Sequence, residues 1–199
     1  MKKIIAMLLV LCMVLAFAGC AGNKAMTHKE FMAAAMDAEV VIETYVQATQ
    51  SWWDNKITVY LQDEDGAYFL YEMACTEENA AKLVPGTKIK VTGFKGAWEG
   101  EVEIMDATFE ILEGSWIADA TDVTDLLGTE DLIKHQNKKV TFKGMTIEAI
   151  DYRNGEPGDH IYVTASKDGV VYSFCVEVYL TGTSTDVYKA FESLTAGDV

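Results

Sequence analysis

Residues 57–73 read Ile57-Thr58-Val59-Tyr60-Leu61-Gln62-Asp63-Glu64-Asp65-Gly66-Ala67-Tyr68-Phe69-Leu70-Tyr71-Glu72-Met73. Ile57, Val59 and Leu61 alternate with Thr58, Tyr60 and Gln62, a period of two that sends alternate side chains to opposite faces of a strand. Asp63-Glu64-Asp65-Gly66 has the composition of a turn, and Ala67 to Met73 is a returning strand, so the stretch predicts a hairpin. Before it, Val40, Ile42, Thr44 and Val46 alternate with Val41, Glu43, Tyr45 and Gln47. Thr27-His28-Lys29-Glu30 has the form of a capping box and predicts a helix from about 28 to 37. After the hairpin, Thr76-Glu77-Glu78 caps a short helix through Leu83, which Pro85-Gly86 ends. Lys88–Phe94 and Glu101–Ile104 then alternate again, and the last strand runs on through Phe109 and Ile111.

Three strands, a helix and two strands are the element order of the OB-fold, a five-stranded Greek-key barrel. A second copy emerges when the chain is compared with itself. Thr58–Gly66 lies over Ile161–Gly169, Leu83–Lys88 over Leu194–Val199, and Val40–Thr49 over Val140–Ala149. The joining stretch, Glu113–Lys139, predicts a helix near Val123–His135. The expected fold is therefore mainly β: two OB-like five-stranded Greek-key barrels in tandem, the second incomplete at the C-terminus, with short helices. Its divisions are a signal peptide at 1–19, a lipidated cysteine and tether at 20–27, a first OB-like domain at 28–112, and a linker helix with a second, truncated OB-like domain at 113–199. Val199 falls where the fourth strand of the second barrel should begin, so the sequence is expected to be part of a longer gene product. In Gln62–Tyr68 and Val84–Gly93 the chain resembles the tandem OB-fold lipoproteins of gut Firmicutes, a likeness of architecture that carries no activity with it.

Residues 1–20 give an address. Lys2 and Lys3 precede an apolar run from Ile4 to Ala18, a length suited to a signal peptide and short of the roughly 20 residues that span a bilayer. Phe17-Ala18-Gly19-Cys20 resembles the lipobox of bacterial lipoproteins, with Phe17 where the usual pattern has Leu. The resemblance implies a diacylglyceryl group on the Cys20 thiol, palmitate-type acylation, and a lipid-anchored, extracytoplasmic location at the cell membrane. Two acyl chains are what stable anchoring takes.

The formal net charge is −15, and it becomes −17 once Lys2 and Lys3 leave with the signal peptide. Charge of that sign repels phosphate backbones, so nucleic acid is not expected as a partner. Cys75 and Cys175 occupy non-equivalent points of the two copies and are expected as two free buried thiols. No CxxC or Cys/His spacing suggests zinc. His28, His135 and His160 are expected as solvated surface residues. With no GxSxG, HExxH, P-loop or GxGxxG, no catalytic residue, metal site or cofactor is expected. Asp63, Glu64 and Asp65 lack the EF-hand pattern and read as an acidic hairpin turn.

The aromatic residues point to a ligand face. Trp52 and Trp53 fall in the loop joining strands one and two, and Trp98 in the loop joining four and five. In OB-folds these loops and the face of strands two and three form the usual groove. Tyr60, and Tyr68 expected on the same face, complete a patch of Trp52, Trp53, Tyr60, Tyr68 and Trp98 that could stack on sugar rings or peptide side chains. The plainer alternative is that Trp52 or Trp53 plugs the barrel mouth, or that the patch packs on the second barrel. The expectation is thus a surface-anchored, non-enzymatic binding or interaction module. Its membrane contact would be the lipid on Cys20, and its partner a glycan, a peptide or another surface protein. The alternative is an accessory N-terminal region of a larger surface enzyme or carbohydrate-processing protein.

Overall fold

Strand β1 (Glu39–Thr49) buries Val40, Ile42, Thr44 and Val46 on alternate positions, as its period requires. The computed structural model describes residues 24–199, so the signal peptide expected at 1–19 and the lipidation site at Cys20 lie outside the described residues. Strands β2 (Lys56–Gln62) and β3 (Ala67–Ala74) form the expected hairpin, and β4 (Thr87–Trp98) and β5 (Glu101–Ser115) form a longer one. The five close into a barrel in the order β1-β2-β3-β5-β4. Closure rests on the antiparallel run of β1 against β4, from Glu39↔Phe94 to Tyr45↔Lys88, and on the parallel pairing of β3 with β5 at Leu70↔Ile104. Helix α2 (Glu77–Ala80), capped by Thr76, sits between β3 and β4. This is the OB arrangement expected of the first half.

The barrel interior is filled by β-branched and leucine side chains. Val40, Ile42, Val59, Leu61, Leu70, Ile89, Val91 and Ile104 are wholly buried. Gly93 is required where β4 crosses β5, because a Cβ there would lie 2.6 Å from Ile104 Cγ2 and 2.7 Å from the Met105 carbonyl oxygen. Helix α1 (His28–Ala33) has the full capping box, with Thr27 N–H donating to Glu30 and Glu30 N–H donating to Thr27 Oγ1. It is shorter than the expected 28–37, since the backbone turns extended at Ala34. Lys95, itself buried, donates from Nζ to the Met32 and Ala34 carbonyls at 2.7 and 2.9 Å, satisfying acceptors the helix end leaves open. Phe31 of this helix seals the barrel against Tyr68, ring centroids 5.2 Å apart.

The second half departs from the expectation. Strands β9 (Ile161–Lys167) and β10 (Val170–Val176) do form the second hairpin, flanked by β8 (Thr146–Tyr152) in a three-stranded sheet of order β10-β9-β8. They do not close into a second barrel. The stretch expected as one strand from Val140 is broken by Gly144, at φ +62. Val140–Thr141 (β7) pairs instead, in parallel, with Thr121–Asp122 (β6). The expected helix at Val123–His135 becomes two 3-10 turns, Thr124–Leu126 and Glu130–His135, separated by Gly128 at φ +74, which an α-helix does not admit. Helices α3 (Val178–Thr181) and α4 (Asp186–Glu192) follow the sheet. Its core is Ile147, Ile161, Val163, Ala165, Val176 and Tyr188.

Two smaller expectations are corrected. Both cysteines are free, but only Cys75 is buried, while Cys175 is exposed on the outer strand of the sheet. His160 is buried rather than solvated, because its Nδ1 accepts the N–H of Val178 at 3.0 Å, at the start of α3.

Leu70 carries the closing register and is wholly buried. Leu70→Ala should cost about 3 kcal/mol, within the usual range for a leucine truncated in a packed core. Val171→Ser, at a side chain 60% exposed, should stay within about 0.5 kcal/mol. Denaturant midpoints of the two variants check both values.

Candidate functional site

The β1–β2 loop is built to present one indole and to tether the next. Asp54 and Asn55 both have positive φ, +47 and +60. Trp53 and Lys56 exchange both backbone hydrogen bonds across them, at 3.0 and 2.9 Å. Two left-handed residues between paired strands make the mirror-image turn that Asp and Asn tolerate best. The turn holds Trp53 outside the barrel, 80% exposed. Trp52, one residue earlier, turns back: its Nε1 donates to the Cys75 carbonyl at 2.8 Å, and it packs on the barrel core.

A bulge in β3 supplies the opposite wall. The β2–β3 register slips between Ile57 and Val59, and Glu72 sits at φ +45. The extra residue puts two consecutive side chains, Tyr71 and Glu72, on the exposed side, as bulges do. Glu72 pairs with Lys56 at 2.7 Å. That hydrogen bond holds the Glu72 carboxyl below and the Lys56 ammonium above their ordinary values.

The third wall comes from the second half of the chain. Ser51 N–H donates to the Tyr179 carbonyl at 2.7 Å, and its Oγ donates to the same oxygen at 3.1 Å. Gln50 Nε2 donates to Glu177 Oε2 at 2.7 Å. These bonds seat the start of α3 against the end of β1. Tyr179, 52% exposed, is braced edge-on by the buried His160 ring at 5.1 Å. The result is an open cleft of about 640 Å³ between the loop, the bulge and α3. Trp52, Trp53, Tyr71 and Tyr179 supply its apolar walls, and Asp54, Glu72, Glu177 and Lys56 its charges.

The structure therefore rearranges the expected aromatic patch. Trp53 and Trp52 line the cleft. Tyr60 faces the outside of the barrel 5.1 Å from Phe69, is half-buried, and has its hydroxyl pushed above its ordinary value by that burial. Tyr68 is in the core, 1% exposed, between Phe31 and His28. Cross-strand partners share a face, and Tyr68 pairs with the inward Leu61 while Phe69 pairs with Tyr60. Counting back from the four-residue turn would have given this register. Trp98 is 72% exposed at the tip of the β4–β5 hairpin and does not line the cleft. That tip is instead strapped to the linker, where Gln136 accepts from Val102 N–H and donates to the Gly100 carbonyl.

Sequence reasoning missed Tyr71, Glu72, Glu177 and Tyr179. Tyr71 shares the outward face of Phe69 by alternation, Glu72 depends on a bulge, and the second pair depends on how two distant segments dock. The acidic turn is what it was expected to be: Asp63 Oδ1 accepts from the N–H groups of Asp65 and Gly66, both at 2.8 Å.

No protein-family model matches the chain, and no curated protein matches it. Among solved structures, the p204 HINb domain is similar at 14% identity and a TM-score of 0.36, over 45% of this chain. This chain spans 48% of that one, about half its length. A murine DNA-binding protein bound to double-stranded DNA is similar at 10% identity and a TM-score of 0.37, over 69% of this chain and 73% of that one. The Ifi202 HINa domain in complex with double-stranded DNA is similar at 11% and 0.35, over 69% and 77%. DNA is the bound partner in two of these three, against the expectation that excluded nucleic acid, and that exclusion is withdrawn. Net charge is a sum over the whole molecule, whereas a contact is decided by the field where it forms. The surface-anchored interaction module argued alongside that exclusion, and its alternative as part of a larger surface enzyme, are withdrawn with it.

The three indoles should separate on truncation. Trp53→Ala and Trp98→Ala should each change stability by no more than about 0.5 kcal/mol. Trp52→Ala, which removes a packed ring and leaves the Cys75 carbonyl without its donor, should cost about 3 kcal/mol. Thermal or denaturant melts of the three variants check the order.

Proposed function

We propose that the chain is a non-enzymatic small-molecule-binding protein built on an OB barrel, with its ligand in the cleft between the β1–β2 loop and α3. The observation that carries this reading is the convergence of Trp53, Tyr71 and Tyr179, all more than half exposed, on one concavity. Its volume of about 640 Å³ suits a ligand of small-molecule size. Aromatic surface left in water contributes little to the monomer, and it recovers its hydrophobic free energy only when something covers it. The polar groups around the cleft support binding rather than catalysis. Ser51 Oγ is engaged with the Tyr179 carbonyl, Glu72 is paired with Lys56, and no histidine lines the walls. A nucleophile held by a general base is what covalent catalysis would need.

Two further readings belong here as proposals. The order of β8, β9 and β10 followed by the helical segment of α3 and α4 supports a second unit built on the plan of the first. Location at the outer side of a cell membrane is supported by residues 1–20 alone. Cys20→Ala should move the protein from the membrane to the soluble fraction, and unchanged retention would remove that address.

The binding proposal is tested by titrating the full chain with small organic amines, neutral mono- and disaccharides, and short single- and double-stranded oligonucleotides. Wild type is compared with Trp53→Ala, a variant expected to fold normally. Saturable binding of a small molecule, weakened about tenfold or more by Trp53→Ala, is the expected result, a loss of about 1.4 kcal/mol. Saturable oligonucleotide binding that Trp53→Ala leaves unchanged would overturn the proposal.

A further inference from the structure

The cleft has a sign as well as a shape. Asp54, Glu72 and Glu177 bring three carboxylates to it, and Lys56 brings one ammonium, so the walls carry a formal charge of −2. The ammonium is committed to Glu72. Glu177 gives only Oε2 to Gln50, and its Oε1 takes no hydrogen bond from the described residues. The Trp53, Tyr71 and Tyr179 rings stand in the same space, and aromatic faces attract cations through their quadrupole, to which the carboxylates add a Coulomb attraction of the same sign. An anionic ligand would meet both the carboxylates and the negative ring faces. A neutral ligand would use the rings and leave the charge unanswered.

We infer that the cleft takes an organic ammonium cation, its charged head between the aromatic rings and the Glu177 and Asp54 carboxylates and its apolar body along Trp53. This rests on the small-molecule reading above and narrows it to a ligand class. Trp53 and Tyr179 supply the ring surface. Glu177 is the specificity-determining group, placed by the Gln50 bond that also docks α3 on the barrel.

The test uses choline and its neutral isostere 3,3-dimethyl-1-butanol, titrated calorimetrically into the full chain. Choline should bind about tenfold or more tightly than the isostere, because its charge meets the aromatic rings and the two carboxylates together. Glu177→Gln keeps an oxygen to accept from Gln50 and should weaken choline about fivefold or more while leaving the isostere unchanged. Asp54→Asn, at a turn position where Asn is equally suited, should weaken choline in the same direction and provides a second reading if Glu177→Gln is unstable. Raising the salt from 0.05 to 0.5 M should weaken choline alone (about threefold or more). Equal affinity for the two probes, or choline binding indifferent to both carboxylate variants, would overturn the inference while leaving the cleft a neutral-ligand site. Absence of binding by either probe would overturn it too, and the saccharide and oligonucleotide titrations would then decide whether the cleft binds small molecules at all.

Discussion

Asp63 accepts two backbone N–H groups, from Asp65 and Gly66, and so fixes the four-residue turn from which the β2–β3 register follows. A one-residue slip in that register would move every side chain of the hairpin to the opposite face. With Gln62 opposite Ala67, Leu61 and Tyr68 point into the barrel and Tyr60 and Phe69 point away from it. Gly66 allows the turn to lie against α1, because a Cβ there would fall 2.1 Å from the His28 ring. The same register places Leu70 where β5 can pair with it and close the barrel. Tyr71 follows Phe69 on the outward face, and the bulge that then breaks this register adds Glu72 beside it at the cleft.

The cleft is thus a by-product of two local departures from regular strand geometry, joined by one docking contact. The Asp54-Asn55 turn raises Trp53, the bulge at Glu72 brings its carboxylate out beside Tyr71, and Ser51 and Gln50 hold α3 so that Tyr179 completes the wall. Each departure needs a positive φ at a non-glycine residue, a conformation that costs free energy for ordinary side chains. Asp and Asn tolerate it best, and they occupy the turn.

The barrel was legible because its signals are short-range. Alternation in β1, β2 and β4, the capping box at Thr27 and the composition of the Asp63–Gly66 turn each act within a few residues, and each appears in the structure where expected. The second half was read less well. Its hairpin is present, but single glycines at 128 and 144 undo the expected helix and the expected long strand, and periodicity gives no weight to one residue's backbone freedom. The aromatic lining of the cleft was half legible. Loop position identified Trp52 and Trp53, alternation placed Tyr60, and Tyr68 was set on the wrong face although the turn length contained its register. Tyr179 and Glu177 lie more than a hundred residues from the loop they meet, and nothing in the sequence announces that contact. Net charge was the wrong quantity for excluding nucleic acid, because it replaces the local field with a total.

The central claim is that ligand binding occurs at the cleft and not at the other exposed aromatic surfaces. The chain has four tryptophans, so its indole N–H groups give four resolvable signals in a nitrogen–proton correlation spectrum. Those of Trp53, Trp98 and Trp116 report respectively on the cleft, the β4–β5 tip and the Tyr45 face. On titration with choline, the account predicts progressive, saturable movement of the Trp53 signal with Trp98 and Trp116 stationary. Movement centred on Trp98 or Trp116, with Trp53 unmoved, would contradict it.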